Sequence, residues 1–196
     1  MVGNWITRII TQAEKIKTDI KKRASKEDIA NSDWTSCCKG PILKKDLEQN
    51  LFVCPDCNKH HYISPTQRFD IMFGRGNWNK IESGHPPPDP YEWKDTKKYT
   101  DRLRDAKKIT GQDNAILSCE TKINDIDVVV SAVNFKFIGG SISMAEGENV
   151  LTAVDKAIEK KCAYIFISAS GGMRMMTNIL SLMQMTRMTV GINELQ

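Results

Sequence analysis

Two short glycine turns, Gly139-Gly140-Ser141 and Ser170-Gly171-Gly172, each lie between an apolar, strand-like run and a helical pattern. Glycine tolerates positive φ and lets bare backbone N–H groups approach a ligand. A pair of such turns can therefore build a hole for a developing oxyanion, which points to acyl chemistry. The order strand, glycine turn, helix occurs twice, and this repetition places the chain in the α/β class.

The elements around the turns follow from periodicity. Asp95 to Lys108 reads as a charged helix with Tyr99, Leu103 and Ala106 on its inward side. Ala115 to Thr121 and Ile126 to Val133 read as strands joined through Ile123-Asn124-Asp125. After the first glycine turn, Gly147 to Lys160 predicts a helix with Val150, Leu151, Val154 and Ile158 at core spacing. Ala163 to Ser168 is the next strand. Beyond the second turn a methionine-rich helix is predicted from about Met173, its positive end aimed at the turns. Met175, Met176, Met183 and Met185 read as adaptable packing. Glu148 reads as a surface or first-turn acid of its helix.

A second module is flagged by cysteines. Cys54-Pro55-Asp56-Cys57 is a C-x-x-C knuckle, and Cys37 and Cys38 stand upstream of it. A zinc ribbon needs four soft ligands in a tetrahedral array, usually from two such knuckles. Cys37 and Cys38 are adjacent, so His60, His61 or a water could take the fourth place. Reduced cysteines held by packing are the other reading. Cys119 and Cys162 fall in or beside predicted strands and read as inert core thiols.

Four segments result. Residues 1–30 form an amphipathic helical arm, with isoleucines at 6, 9, 10, 16 and 20 between lysines. Residues 34–63 form the ribbon-like module. Residues 64–90 hold a short helix, entered through Ser64-Pro65 and running to Phe73, and a proline-rich connection, Gly84-His85-Pro86-Pro87-Pro88-Asp89-Pro90. Residues 91–196 form the larger domain. With 40% hydrophobic and 27% charged residues the chain reads as soluble and globular, and its apolar runs are strand-sized, too short to span a bilayer. The N-terminus lacks the pattern of a secretory signal, so a cytoplasmic setting with reduced or metal-bound thiols is expected. The net charge of +4 is spread among acids, which makes nucleic acid a possible but not an expected partner.

At this point the motifs resemble a known family. Trp34-Thr35-Ser36-Cys37-Cys38 followed by Lys45-Asp46-Leu47-Glu48-Gln49-Asn50-Leu51-Phe52-Val53-Cys54-Pro55-Asp56-Cys57 is similar to the zinc ribbon of acetyl-CoA carboxylase carboxyltransferase beta subunits. Asp95-Thr96-Lys97-Lys98-Tyr99-Thr100-Asp101-Arg102-Leu103, Phe137-Ile138-Gly139-Gly140-Ser141, and Ser168-Ala169-Ser170-Gly171-Gly172-Met173-Arg174-Met175 with Leu180-Ser181-Leu182-Met183-Gln184-Met185 agree in the same order.

The resemblance implies a crotonase-like spiral of strand-strand-helix units preceded by a small zinc-ribbon module. It implies transfer of a carboxyl group from carboxybiotin, a co-substrate on a separate carrier protein, to acetyl-CoA, giving malonyl-CoA for fatty-acid synthesis. The implied partners are a carboxyltransferase alpha subunit, the biotin carboxyl carrier protein and biotin carboxylase in a hetero-oligomer, with one zinc ion per chain on Cys37, Cys38, Cys54 and Cys57. Carried onto this sequence, the amides of Gly139, Gly140, Gly171 and Gly172 would hold the enolate. Ser141 would contact substrate, and Arg174 would either contact a CoA phosphate or buttress the loop through an ion pair. The chain departs from the family in the two residues missing between Cys37 and Cys38 and in Ser143, Met144 and Met173, which stand where smaller residues are usual. The family also continues past Gln196 through further strands and another glycine-rich turn, so the spiral is expected to be incomplete. A binding module that contacts nucleic acid, and an inactive part of the subunit, remain alternatives.

Overall fold

The computed structural model describes residues 33–37 and 40–195, so the expected arm at 1–30 and Cys38 lie outside the described residues. The chain divides into two compact units, Met1–Tyr62 and Ile63–Gln196.

In the first unit, β1 (Trp34–Cys37) pairs antiparallel with β2 (Gly40–Leu43), and α1 (Lys44–Gln49) follows directly. Leu51 and Phe52 turn the chain at positive φ, and Val53 then bridges to His60. Within that bridge, Asn58 N–H donates to the Cys54 carbonyl at 2.9 Å and Cys54 N–H to the Lys59 carbonyl at 2.9 Å, which closes the knuckle loop. The small core is Ile42, Leu47 and Cys54, packed with Cys37, Phe52 and Cys57.

The second unit is built on a four-stranded sheet in the order β3 (Trp78–Lys80), β4 (Ile116–Ile123), β5 (Ile126–Val133), β6 (Ala163–Ile167). The first two pairings are antiparallel, and β4 and β5 form a hairpin turned by Asn124 and Asp125 at positive φ. β5 and β6 are parallel, in register Val128↔Ala163 to Ala132↔Ile167, so the chain must cross over between them. It does so through α4 (Met144–Lys160). This β4-β5-α4 block is one strand-strand-helix unit.

Alternation along β5 sorts the two faces of the sheet. Val128, Val130 and Ala132 join Leu117, Cys119 and Phe69 on one side, where α2 (Pro65–Phe73) packs. Val129 and Val133 meet Val150, Ala153, Val154 and Ala157 of α4 on the other. Covered on both faces, β5 is a nearly continuous apolar run. The helix face predicted from Val150, Leu151, Val154 and Ile158 is shifted: Val150 and Val154 are buried with Ala153 and Ala157, while Ile158 is 37% exposed.

Residues 64–90, expected as a helix and a connection, supply both α2 and β3 to this unit. Ser64 caps α2 through a reciprocal pair with Gln67, and Pro65 occupies the first helical position where its missing N–H costs nothing. α3 (Tyr99–Thr110) starts later than the predicted Asp95. The Asp95 carboxylate instead receives the Lys97 N–H at 2.9 Å and the Arg102 guanidinium at 2.7 Å, holding an extended lead-in. Gly111 ends α3 in the left-handed conformation, and Tyr99, Leu103 and Ala106 face inward as predicted.

α5 (Asn178–Asn193) also starts later than predicted. Between Gly172 and Asn178 the chain makes a parallel bridge at Met173 and a 3-10 turn over Met175–Thr177, so α5 does not begin at the glycine turn. It approaches α4 closely at two glycines, since a Cβ at Gly147 would meet Gln184 at 2.3 Å and one at Gly191 would meet Leu151 at 2.5 Å, and Met188 packs against the Val150 and Val154 cluster. Of the methionines read as packing, Met176 packs beside Tyr99 and Phe137, but Met175, Met183 and Met185 are at least half exposed. No helix among the described residues is long and apolar enough to cross a membrane.

Phe69 is fully buried, edge-on to Trp78 with ring centroids 5.3 Å apart. Phe69→Ala is expected to cost about 4 kcal/mol in denaturant unfolding of the chain, and a loss below about 1 kcal/mol would remove this face from the core.

Candidate functional site

The chain leaves β5 at Val133 and enters a 3-10 turn, Ile138–Gly140, in which Gly139 and Gly140 adopt φ of 66° and 64°. The second turn leaves β6 and reaches Gly172 at φ 106°. Because β5 and β6 are parallel neighbours, both turns emerge at the same end of the sheet, and they touch through backbone. Gly171 N–H donates to the Gly139 carbonyl at 2.9 Å, Ile142 N–H to Gly172 at 2.9 Å, and Arg174 N–H to Ile142 at 2.8 Å. A Cβ at Gly140 would lie 2.3 Å from the Ala169 carbonyl oxygen, so side chains are excluded there by contact as well as by φ.

This lacing decides which amides remain for a ligand. Gly140 N–H is spent on Phe137 at 2.9 Å, and Gly171 N–H on Gly139. Gly172 N–H is held by the exposed Ser170 hydroxyl at 3.0 Å, an acceptor a ligand could displace. Gly139 N–H has no acceptor among the described residues. Of the four amides expected at the site, Gly139 and Gly172 are thus the available donors, one on each turn.

Behind the turns lies a buried ionic network. The Arg174 guanidinium is 2.6 Å from Glu146 Oε1, with the two side chains 3% and 0% exposed. Its Nη2 also donates to the Ser141 carbonyl at 2.5 Å, its Nε to Ser141 Oγ at 3.1 Å and its Nη1 to the Tyr99 hydroxyl at 2.9 Å, and the guanidinium carbon lies 5.7 Å from the centre of the Phe137 ring. Glu146 is equally well satisfied. Oε1 accepts Ala115 N–H at 2.9 Å, and Oε2 accepts Ser143 N–H at 2.9 Å as half of the capping box that starts α4. Burial pushes the Tyr99 phenol pKa up, against the lowering effect of the Arg174 charge, and the hydroxyl stays protonated at neutral pH. Burial alone would pull the Arg174 pKa down, but Glu146 and Tyr99 outweigh it, and the guanidinium stays charged. Arg174, Glu146 and Tyr99 line a cleft of about 440 Å³ together with Pro86, Pro87 and Pro88.

Among the residues singled out from sequence, Ser141 uses its carbonyl and hydroxyl to receive Arg174, and its own hydroxyl hydrogen goes to the Ile138 carbonyl at 2.8 Å. Arg174 is enclosed rather than offered to solvent. Glu148 sits on the surface of α4 and pairs with Arg187 at 3.0 Å. Sequence reasoning missed Glu146, although Ser143-Met144-Ala145-Glu146 carries the S-x-x-E capping signature that would have moved the start of α4 back to Met144. Tyr99 was read only as an inward residue of α3.

In the first unit, the thiols of Cys37, Cys54 and Cys57 lie within 4.8 Å of one another, with Cys37 Sγ and Cys57 Sγ 3.4 Å apart. Three convergent soft donors, two of them from one C-x-x-C knuckle, can hold a thiophilic metal ion. His60 and His61 are not part of this cluster. Cys119 lies apart from it in β4, where burial, with Glu120 beside it, pushes the thiol up to about 12.

Residues 98–194 match the family model of the carboxyl transferase domain. The chain is 53% identical over 193 residues to the acetyl-coenzyme A carboxylase carboxyl transferase subunit beta of Pelagibacter ubique, covering 98% of this chain and 62% of that protein. It is 36% identical over 195 residues to the subunit of the same name from Beijerinckia indica subsp. indica, covering 98% of this chain and 65% of that one. The chain therefore spans less than two thirds of the length of these curated relatives. Among solved structures, transcarboxylase 12S, determined with methylmalonyl-coenzyme A and methylmalonic acid bound, superposes with a TM-score of 0.50 at 15% identity over 65% of this chain and 23% of that one. This likeness establishes the crotonase-like carboxyl transferase fold for the sheet unit.

Gly140→Ala is expected to destabilise the second unit by about 3 kcal/mol, from left-handed strain and overpacking together, whereas Gly139→Ala, with open space at its Cβ, is expected to cost about 1 kcal/mol. Equal costs in denaturant unfolding would mean that the turns do not touch as described.

Proposed function

The chain belongs to the carboxyl transferase family, and from that premise we propose that it acts as the beta subunit of an acetyl-CoA carboxylase carboxyltransferase. The proposed reaction moves the carboxyl group of carboxybiotin, presented by the biotin carboxyl carrier protein, onto the methyl carbon of acetyl-CoA. The observation that carries this reading is the backbone contact between the two glycine turns, which sets the Gly139 and Gly172 amides on neighbouring segments.

Loss of a methyl proton from acetyl-CoA leaves negative charge on the thioester oxygen. Fixed N–H donors stabilise that charge in the transition state more than the neutral carbonyl in the ground state, which lowers the barrier. Release of carbon dioxide from carboxybiotin leaves an anionic ureido nitrogen that takes the methyl proton, and the enolate carbon then bonds to the carbon dioxide. Protons and charge balance without a side-chain base. The buried Glu146 is therefore not needed as one, since its oxygens are already occupied by Ala115, Ser143 and Arg174. Ser141, whose carbonyl and hydroxyl receive Arg174, is proposed to support the first turn rather than to offer substrate a free polar group.

The assembly is proposed to include the alpha subunit, with biotin carboxylase and the carrier protein in the full complex, in the cytoplasm and in the service of fatty-acid synthesis. The outward apolar residues of α5, among them Ile179, Leu182, Met183 and Val190, each at least half exposed, support a subunit contact. Zinc is the proposed ion for Cys37, Cys54 and Cys57, with Cys38 as the fourth ligand, one ion per chain. Bound there, it would cross-link the segments of the first unit and contribute directly to its folding.

Two measurements test this reading. The chain, and a version extended to the full length of its relatives, are each mixed with a relative's alpha subunit, carboxybiotin and acetyl-CoA and assayed for malonyl-CoA. Product that requires the alpha subunit is expected from the extended version, and none from either version would overturn the assignment. Metal analysis of the purified chain is expected to return about one zinc per chain, lost in Cys54→Ser, with Cys119 resisting alkylation throughout.

A further inference from the structure

We infer that Glu146 is a positioning residue for the oxyanion site: through Arg174 it fixes the first glycine turn against the second. The inference rests on the carboxyltransferase reading for its catalytic consequence, but its structural content stands by itself.

The argument starts from what each group is joined to. Arg174 belongs to the second turn, two residues after Gly172, and its side chain reaches back to the carbonyl and hydroxyl of Ser141, the residue after Gly140. The guanidinium thus grips the chain just after the first turn, at the Ser141–Ile142 peptide, whose N–H donates to Gly172 of the second turn. A guanidinium has donors in a rigid fork, and here three different nitrogens are committed to Ser141, Tyr99 and Glu146. Rotating the Ser141–Ile142 peptide would break at once the Arg174 bond to the Ser141 carbonyl and the Ile142 N–H bond to Gly172.

Glu146 decides where that fork sits. Its two oxygens are tied to the starts of β4 and α4 through Ala115 N–H and Ser143 N–H, both on rigid elements. Oε1 also accepts from the Arg174 guanidinium at 2.6 Å. The chain of contacts therefore runs from the sheet and α4, through Glu146, into Arg174, and from there into Ser141. A second tie comes from the backbone of the same residue, since the Arg174 carbonyl accepts the Ser181 hydroxyl of α5 at 2.5 Å, and Ser143 Oγ lies 2.7 Å from Thr177 Oγ. Gly139 sits in left-handed space with nothing near its Cβ position, so packing does not hold that peptide in place. The ion pair does.

A merely space-filling Glu146 would tolerate glutamine, which has the same shape and can still accept one N–H. A positioning Glu146 would not, because a neutral amide turns a charge-assisted bond into a weak one and presents NH₂ hydrogens toward either Arg174 and the Ala115 amide, which share one oxygen, or the Ser143 amide on the other.

The test is amide hydrogen exchange on the ¹⁵N-labelled chain, wild type against Glu146→Gln and Tyr99→Phe, the latter removing only one hydroxyl contact with Arg174. The Gly171, Ile142 and Arg174 amides, which donate between the turns, are expected to exchange at least about tenfold faster in Glu146→Gln and measurably faster in Tyr99→Phe, while Val129 and Val130 in β5 keep their protection. Wild-type protection at the three turn amides in both variants would overturn the inference. Equal loss of protection in β5 would also overturn it, by making the pair a general stability element. In the reconstituted carboxyltransferase, Glu146→Gln is expected to lower kcat about a hundredfold with little change in KM for acetyl-CoA, and a change in KM alone would contradict positioning. If wild-type assemblies make no malonyl-CoA, the functional reading fails while the exchange result still decides the role of Glu146.

Discussion

The Ala169 carbonyl oxygen occupies the space that a Cβ at position 140 would need. That contact between two backbones is the constraint on which the rest of the second unit depends. It requires two parallel neighbouring strands, so that both turns leave the sheet at one end. Parallel neighbours require a crossover, which α4 provides, and a crossover helix must have one apolar face on the sheet. The apolar run of β5, the small residues Ala153 and Ala157 on α4, and the start of α4 immediately after the first turn all serve this arrangement.

Holding the turns together has an electrostatic cost. Taking a carboxylate and a guanidinium out of water costs several kcal/mol per ion, and their attraction offsets this only when the remaining hydrogen-bonding capacity is also satisfied. Here both Glu146 oxygens and three guanidinium nitrogens find partners within hydrogen-bonding distance. A second polar cluster in the same core, in which Ser118 joins Ser131 and Asn149, follows the same rule on the α4 face of the sheet. Such clusters specify one arrangement of the elements they connect, because any slip leaves a buried group without a partner. The proposed oxyanion site would work through fixed backbone dipoles, and one arrangement is what that chemistry needs.

Strands β4, β5 and β6, the inward face of α3 and the two glycine turns could be read from the sequence, because each is written in local periodicity or in glycine, whereas β3 falls in a stretch that reads as a connection. The family motifs then supplied the order of these parts. What could not be read were relations between distant residues. Nothing local to Gly140 or Gly171 says that their N–H groups are consumed by Phe137 and by the opposite turn, leaving Gly139 and Gly172. The late start of α5 depends on the Ile142–Met173 bridge, which joins two segments about thirty residues apart. Periodicity assigned α4 an apolar face through Ile158, but the sheet meets alanines instead, since close approach to β5 favours small side chains. Glu146 was legible as a helix start and not as an ion-pair partner, because Arg174 lies 28 residues away.

The proposed oxyanion site would polarise the carbonyl it binds, and that polarisation can be seen directly. The most direct test is the infrared stretching frequency of the thioester carbonyl in ¹³C-labelled acetyl-CoA, free and bound to the assembled carboxyltransferase containing this chain. Donation from the Gly139 and Gly172 amides predicts a shift to lower frequency on binding, diminished when the first turn is loosened. A bound carbonyl at its free-solution frequency would contradict the account, since acetyl-CoA would then bind without meeting the two turns.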